Sequence, residues 1–321
     1  MVTILALAAA VLYGTADFLG GVASRRASVF AVLALTVPAG AVVMLLVALL
    51  GQVPALGGLV GHGGLGSPSS MGDWSAAGWA AASGVCGAAG LVAFYAGFAT
   101  APISVVAPVA ALVSAVLPAG VAIAGGERPA TTVIAGGLIC LVAIVLVSAQ
   151  PGGGERSDHS GERGDRIRPV TSGRLRALGY GAAAGAGFGL FFIFLKNAGQ
   201  SGVLWPVAIS RSAGTVVAFG IVLATRTRLR FGRGGITGIA LISGALDAAA
   251  NVCYVLATRA GLFGLAVVIT SLYPGMTVLL ARVLLGERMR WVQRTGLLLA
   301  AVGVILVALL PLRGALILPP P

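Results

Sequence analysis

Apolar residues run through this chain in stretches on the order of 20 long, enough for an α-helix to cross a bilayer, and polar residues are confined to the gaps between them. The pattern sets off ten such spans, at Thr3–Ala23, Val29–Leu50, Trp74–Phe98, Ile103–Ala124, Thr131–Ala149, Leu175–Lys196, Val203–Thr225, Gly235–Ala257, Phe263–Leu285 and Trp291–Leu312. The one long polar stretch, Gln150–Arg174, divides them five and five. Its mixed acidic and arginine composition cannot bury a core, so it reads as a disordered tether.

The two halves echo each other. Gly126, Glu127 and Arg128 close one hydrophobic run, and Gly286, Glu287 and Arg288 close another about 160 positions later. At the same offset Gly78, Ser83, Gly84, Ala88 and Ala89 fall on Gly238, Ser243, Gly244, Ala248 and Ala249, and Leu146 and Val147 fall on Leu306 and Val307. An odd number of spans per half sends the second half into the membrane from the opposite side. The expected fold is therefore an all-α integral membrane protein of ten transmembrane helices in two inverted five-helix repeats. Residues 1–149 form the first repeat, 150–174 the linker and 175–321 the second repeat.

Composition agrees, with 58% hydrophobic and 9% charged residues, far from the usual quarter charged of soluble domains. The first span lacks a basic leader, contains Tyr13 and Asp17, and is read as a retained helix and not a cleaved signal. A net charge of +12 raises nucleic acid as a partner, but arginines beside hydrophobic spans meet anionic lipid and follow the positive-inside bias. No nucleic-acid partner is expected. Cys86, Cys140 and Cys253 each sit alone in a span, and His62 and His159 lie singly in polar loops. Neither a disulfide framework nor a metal or cofactor site is expected. The glycine-rich stretch Gly57–Gly66 follows no strand and leads to no GK[ST], so a flexible loop accounts for it.

Orientation is less settled. The loops after spans one, five, seven and nine hold most of the arginines, among them Arg25, Arg26, Arg226, Arg228, Arg230, Arg233, Arg288, Arg290 and Arg294. Counting positive charge places these loops in the cytoplasm and both termini outside.

Ionisable residues in mid-span are functional candidates because their insertion costs a few kcal/mol. Asp17 lies in span one with Tyr13 one turn earlier on the same face, Asp247 lies in span eight with Asn251 one turn later, and Arg211 lies in span seven. The plainer alternatives are an interfacial acid for Asp17 and a structural ion pair between Arg211 and Asp247. On the functional reading, a carboxylate in low dielectric can exchange protons and so couple proton movement to a solute. Lys196 and Arg282 sit at span ends, where snorkelling suffices. Pro108 and Pro118 in span four, and Pro274 followed by Gly275 in span nine, interrupt helical hydrogen bonding and are either pathway-lining breaks or packing kinks. Gly181, Gly185 and Gly189 in span six, and Gly296 with Ala300 in span ten, allow close helix approach. Spans five and ten carry no mid-membrane charge and suit peripheral or dimer-facing positions, which leaves a homodimer open.

These features together resemble the EamA type of the drug/metabolite transporter superfamily. The resemblance is carried by the paired halves, by Leu12-Tyr13-Gly14-Thr15-Ala16-Asp17-Phe18-Leu19-Gly20-Gly21, by Thr270-Ser271-Leu272-Tyr273-Pro274, and by the two Gly-Glu-Arg turns. It implies a cavity lined by spans one to four and six to nine, movement of small organic solutes, and cytoplasmic termini, the last against the charge count. No arginine in span two matches Arg211. The leading expectation is a multi-pass cell-membrane protein that exports small organic metabolites or drugs as a secondary transporter, with protons as the coupling ion. An uptake or facilitated-diffusion permease is the alternative, and a non-transporting scaffold the alternative of a different class. An enzyme would need a catalytic set that the spans lack. The residues expected on the solute and proton pathway are Asp17, Tyr13, Asp247, Asn251, Arg211, Tyr273 and Pro274.

Overall fold

A computed structural model of the chain describes residues 1–24, 27, 29–50, 74–100, 103–148, 170–224, 235–286 and 291–309. The expected linker up to residue 169, the histidines, the stretch 57–66, Arg25, Arg26, Arg226, Arg228, Arg230, Arg233, Arg288 and Arg290 lie outside the described residues, whereas Arg294 falls in the last helix. Within them the chain is helical and carries no strand.

The helices are α1 (Val2–Ser24), α2 (Val29–Leu50), α3 (Trp74–Thr100), α4 (Ile103–Ala124), α5 (Thr131–Ser148), α6 (Val170–Ala198), α7 (Leu204–Ala224), α8 (Ile236–Ala260), α9 (Phe263–Thr270), α10 (Tyr273–Leu285) and α11 (Trp291–Leu309). Seven helical stretches are long and apolar enough to cross a membrane, the last of them running from Phe263 to Leu285, and three shorter apolar ones lie at Val109–Ala124, Thr131–Leu146 and Trp291–Leu306. Helix α6 starts at Val170, so its first turn takes up the end of the stretch expected to be linker.

The ninth span is two helices, and the sequence gives the reason. Pro274 has no N–H, and its ring would strike the carbonyl four residues back, at Thr270. The Ser271 amide still bonds four residues back to Val267 O at 2.8 Å, but the Leu272 amide turns to Ile269 O, three back, at 3.1 Å, and the helix restarts with Pro274 in the first turn of α10. Helix α4, at the matching place in the first half, stays continuous despite Pro108 and Pro118. Pro38 is likewise accommodated inside α2.

Small residues set the packing. Helix α1 lies along α8 and against α9 and α10, while α6 lies along α3 and α4; α2 packs on α7 and α8, and α7 on α3. A Cβ at Gly84 would collide with the Ser210 carbonyl of α7, and one at Gly244 with the Thr36 carbonyl of α2. At both contacts only glycine lets backbone meet backbone. Helices α5 and α11 pack on each other, Gly303 of α11 lying against Cys140 and Gly136 of α5. Their outer faces, with Ile134, Leu138, Val142, Leu298 and Val302, are exposed, as a lipid-facing surface requires.

Candidate functional site

Three helices bring the mid-span charges together. Arg211 of α7 and Asp247 of α8 form an ion pair, with side chains 14% and 29% exposed. A pair with that exposure is not sealed in the core. Asn251, one turn beyond Asp247, is buried and donates its Nδ2 to the Asp247 carbonyl at 2.6 Å.

Asp17 joins them from α1. It shares a helix face with Tyr13 and buried Ala10, one and two turns earlier, and not with the outward Ile4 and Val11. It is exposed on that face and lies within electrostatic reach of Asp247 and Tyr273. Tyr13, one turn earlier, is buried, whereas Asp17 is exposed.

Aromatic rings pack around Tyr13. The Tyr13 ring meets Phe192 of α6 edge-on at 6.3 Å and tilts against Tyr273 of α10 at 6.1 Å. Phe192 in turn packs on Tyr254 at 4.7 Å, and the Tyr254 hydroxyl donates to the Phe192 carbonyl at 2.8 Å. The Tyr13 hydroxyl, Arg211 Nε and Asn251 Oδ1 are buried and make no hydrogen bond within the protein. They offer a polar solute two donors and an acceptor beside the ion pair.

Hydroxyl groups hold this arrangement in register. Ser243 of α8 donates to the Ala16 carbonyl at 2.8 Å, and Thr277 of α10 to the Gly14 carbonyl at 3.0 Å, so α1 is pinned on both sides of the turn bearing Tyr13 and Asp17. Ser210, next to Arg211, bonds Ser83 of α3 at 2.8 Å. Sequence reasoning singled out none of Ser243, Thr277, Phe192 or Tyr254. Ser83 and Ser243 stood in the repeat match, which was the available signal.

Of the residues expected on the pathway, Asp17, Tyr13, Asp247, Asn251, Arg211 and Tyr273 converge here. Pro274 makes the break from which α10 starts and does not itself reach the ion pair through any described contact. Pro118 packs against Gly189 of α6, which is a helix contact, and the Pro108 side chain lies outside the described residues. Among the described residues no group of three or more His, Cys, Asp or Glu could hold a metal ion.

No curated protein matches the chain at a significant level. One solved crystal structure is similar in fold over 97% of this chain and 98% of its own, with a TM-score of 0.68 and 18% sequence identity. The model of the EamA-like transporter family matches residues 175–309, which run from α6 to the end of α11 and include Arg211, Asp247 and Tyr273. That second half is thus similar to the EamA-like transporter family, which lies within the drug/metabolite transporter superfamily.

Proposed function

We propose that this protein is a secondary transporter that exports a small organic solute across the cell membrane in exchange for protons. The observation that carries the reading is the ion pair of Arg211 and Asp247, with Asp17 within electrostatic reach and three buried polar atoms of Tyr13, Arg211 and Asn251 left without a hydrogen-bond partner. A scaffold gains nothing from holding such groups at membrane depth, where each unmet one costs about 1–3 kcal/mol. A binding site gains specificity from them.

In this proposal residues 1–149 and 175–321 are inverted repeats joined by 150–174. The packing supports that reading, because contacts between the halves come in matched pairs. Helix α3 lies on α6 as α8 lies on α1, and α3 on α7 as α8 on α2. The contact of Gly84 with Ser210 is likewise answered by that of Gly244 with Thr36. Alternating access then amounts to rocking one half against the other around the ion pair. Asp17 and Asp247 serve as the proton-exchanging acids. Asp17, Asp247 and Arg211 have no counterparts across the repeat, consistent with roles in solute and proton handling beyond the shared scaffold.

The test is a solute-library screen of purified protein in proteoliposomes, with and without an imposed pH gradient. Accumulation that follows the gradient supports proton-coupled transport. Transport indifferent to the gradient identifies facilitated diffusion, and no transport of any solute by folded protein overturns the reading.

A further inference from the structure

A cavity lies between α4, α6 and α9, away from the residues of the ion pair. Glu127 follows Gly126, whose φ of 97° needs glycine, and the turn closes through Glu127 N to Ala122 O at 3.0 Å. Its carboxylate reaches across to the other half of the chain and accepts from Phe263 N at 2.7 Å and Gly264 N at 3.1 Å, so both oxygens serve the first turn of α9. Beside this joint is a cavity of about 280 Å³ whose walls include Val121, Glu127, Ile193, Lys196, Asn197 and Phe263.

Lys196 is the only lysine in a chain with twenty arginines. Its ammonium sits over the Phe263 ring at 5.3 Å, and among the described residues no carboxylate lies within ion-pair distance of it. Glu127, which lines the same cavity, is already engaged by α9. The wall therefore presents a compact positive charge, an amide from Asn197, and apolar surface from Ile193, Val121 and Phe263. An ammonium is a compact point charge on a flexible stem and suits a small anion. The volume lies at the lower end of small-molecule sites, so the occupant is metabolite-sized. Phe192, one turn before Lys196 on α6, belongs to the ring cluster around Tyr13, and neither Arg211 nor Asp247 is among the residues lining the cavity.

We propose that this cavity is a binding site for a small solute bearing a carboxylate, held by the Lys196 ammonium and separate from the central ion pair. A phospholipid phosphate is a rival source of negative charge for a lysine near a helix end, and the test separates the two.

Because Lys196 is the sole lysine, reductive methylation with ¹³C-formaldehyde leaves one side-chain dimethylamine signal in the full chain, still cationic and readable by NMR in maltoside micelles. The expected result is a saturable shift with benzoate, none with benzylammonium at equal concentration, and weakening by at least about tenfold in Val121→Trp, which fills the cavity. In unmethylated protein, calorimetry should show benzoate binding lost in Lys196→Gln and kept in Lys196→Arg. No benzoate response in folded protein, an equal response to benzylammonium, or a response to phosphatidylglycerol alone would each overturn the proposal. None of these readouts depends on transport, so failure here leaves the central reading untouched.

Discussion

Arg211 and Asp247 are partners in an ion pair that joins α7 to α8, and Asn251 fastens the same turn by donating to the Asp247 carbonyl at 2.6 Å. Truncating one member of a buried pair strands the other charge, at a cost of roughly 3–5 kcal/mol in soluble precedents. Arg211→Leu and Asp247→Leu should each lower expression and thermal stability by a large margin. The double variant should recover much of the loss, because no lone charge remains. Additive losses in a double-mutant cycle on the purified proteins would show that the pair is not energetically coupled.

Much of the fold is legible in the sequence because a bilayer makes helix the only way to satisfy a crossing backbone here, and span lengths then follow from apolar run lengths. The repeat register marked Ser83 and Ser243, yet their partners could not be read from it. Whether a serine bonds its own helix or a neighbour, as Ser243 does at Ala16, depends on interhelical distance. Asp17, Arg211 and Asp247 were conspicuous because charge is rare in these spans. Phe192 and Tyr254 were not, since an aromatic ring in an apolar span carries no signal until neighbours meet it. The break at Ser271 followed from Pro274, but Pro38 and Pro118 did not break their helices, and sequence alone does not rank these prolines. Glu127 was visible only as a mark of the repeat, and its role at Phe263 required the other half in place.

The glycine contacts give a test of packing with a built-in control. A methyl at Gly244 meets the Thr36 carbonyl and the Ala39 Cβ, whereas one at Gly238, on the same helix, meets nothing within 4 Å. Gly244→Ala should cost about 1–3 kcal/mol through forced separation of α8 from α2. Gly238→Ala should be neutral or slightly stabilising, since alanine is the better helix former. Comparison of thermal unfolding midpoints in detergent decides it, and equal midpoints would mean that α2 and α8 are not in backbone contact.

Membrane orientation can be settled by labelling. If arginine bias governs insertion, Gly152→Cys in the linker should be shielded from an impermeant maleimide in intact cells, and Ser67→Cys between spans two and three should react. Each is placed in a background with Cys86, Cys140 and Cys253 replaced. The reverse pattern would put both termini in the cytoplasm, as the family resemblance implies.

The acids carry the last prediction. Asp247 faces Gly87 across the repeat and Asp17 corresponds roughly to Leu190, so neither is explained by a duplicated scaffold. Converting a carboxylate to an amide keeps a hydrogen-bonding group of the same shape but removes the exchangeable proton. If the acids only brace the helices, Asp17→Asn should transport normally, because it has no ion-pair partner among the described residues to lose. If they carry protons, Asp17→Asn and Asp247→Asn should both bind solute and catalyse solute exchange between equal pools, yet fail to accumulate solute against its gradient when a pH difference is imposed. Asp247→Asn also leaves the Arg211 charge without its partner, so its stability is to be measured alongside transport and compared with Asp17→Asn, where no such loss is expected. Gradient-driven accumulation at the unmodified rate in both variants would remove these acids from the coupling mechanism and leave facilitated diffusion as the activity of the protein.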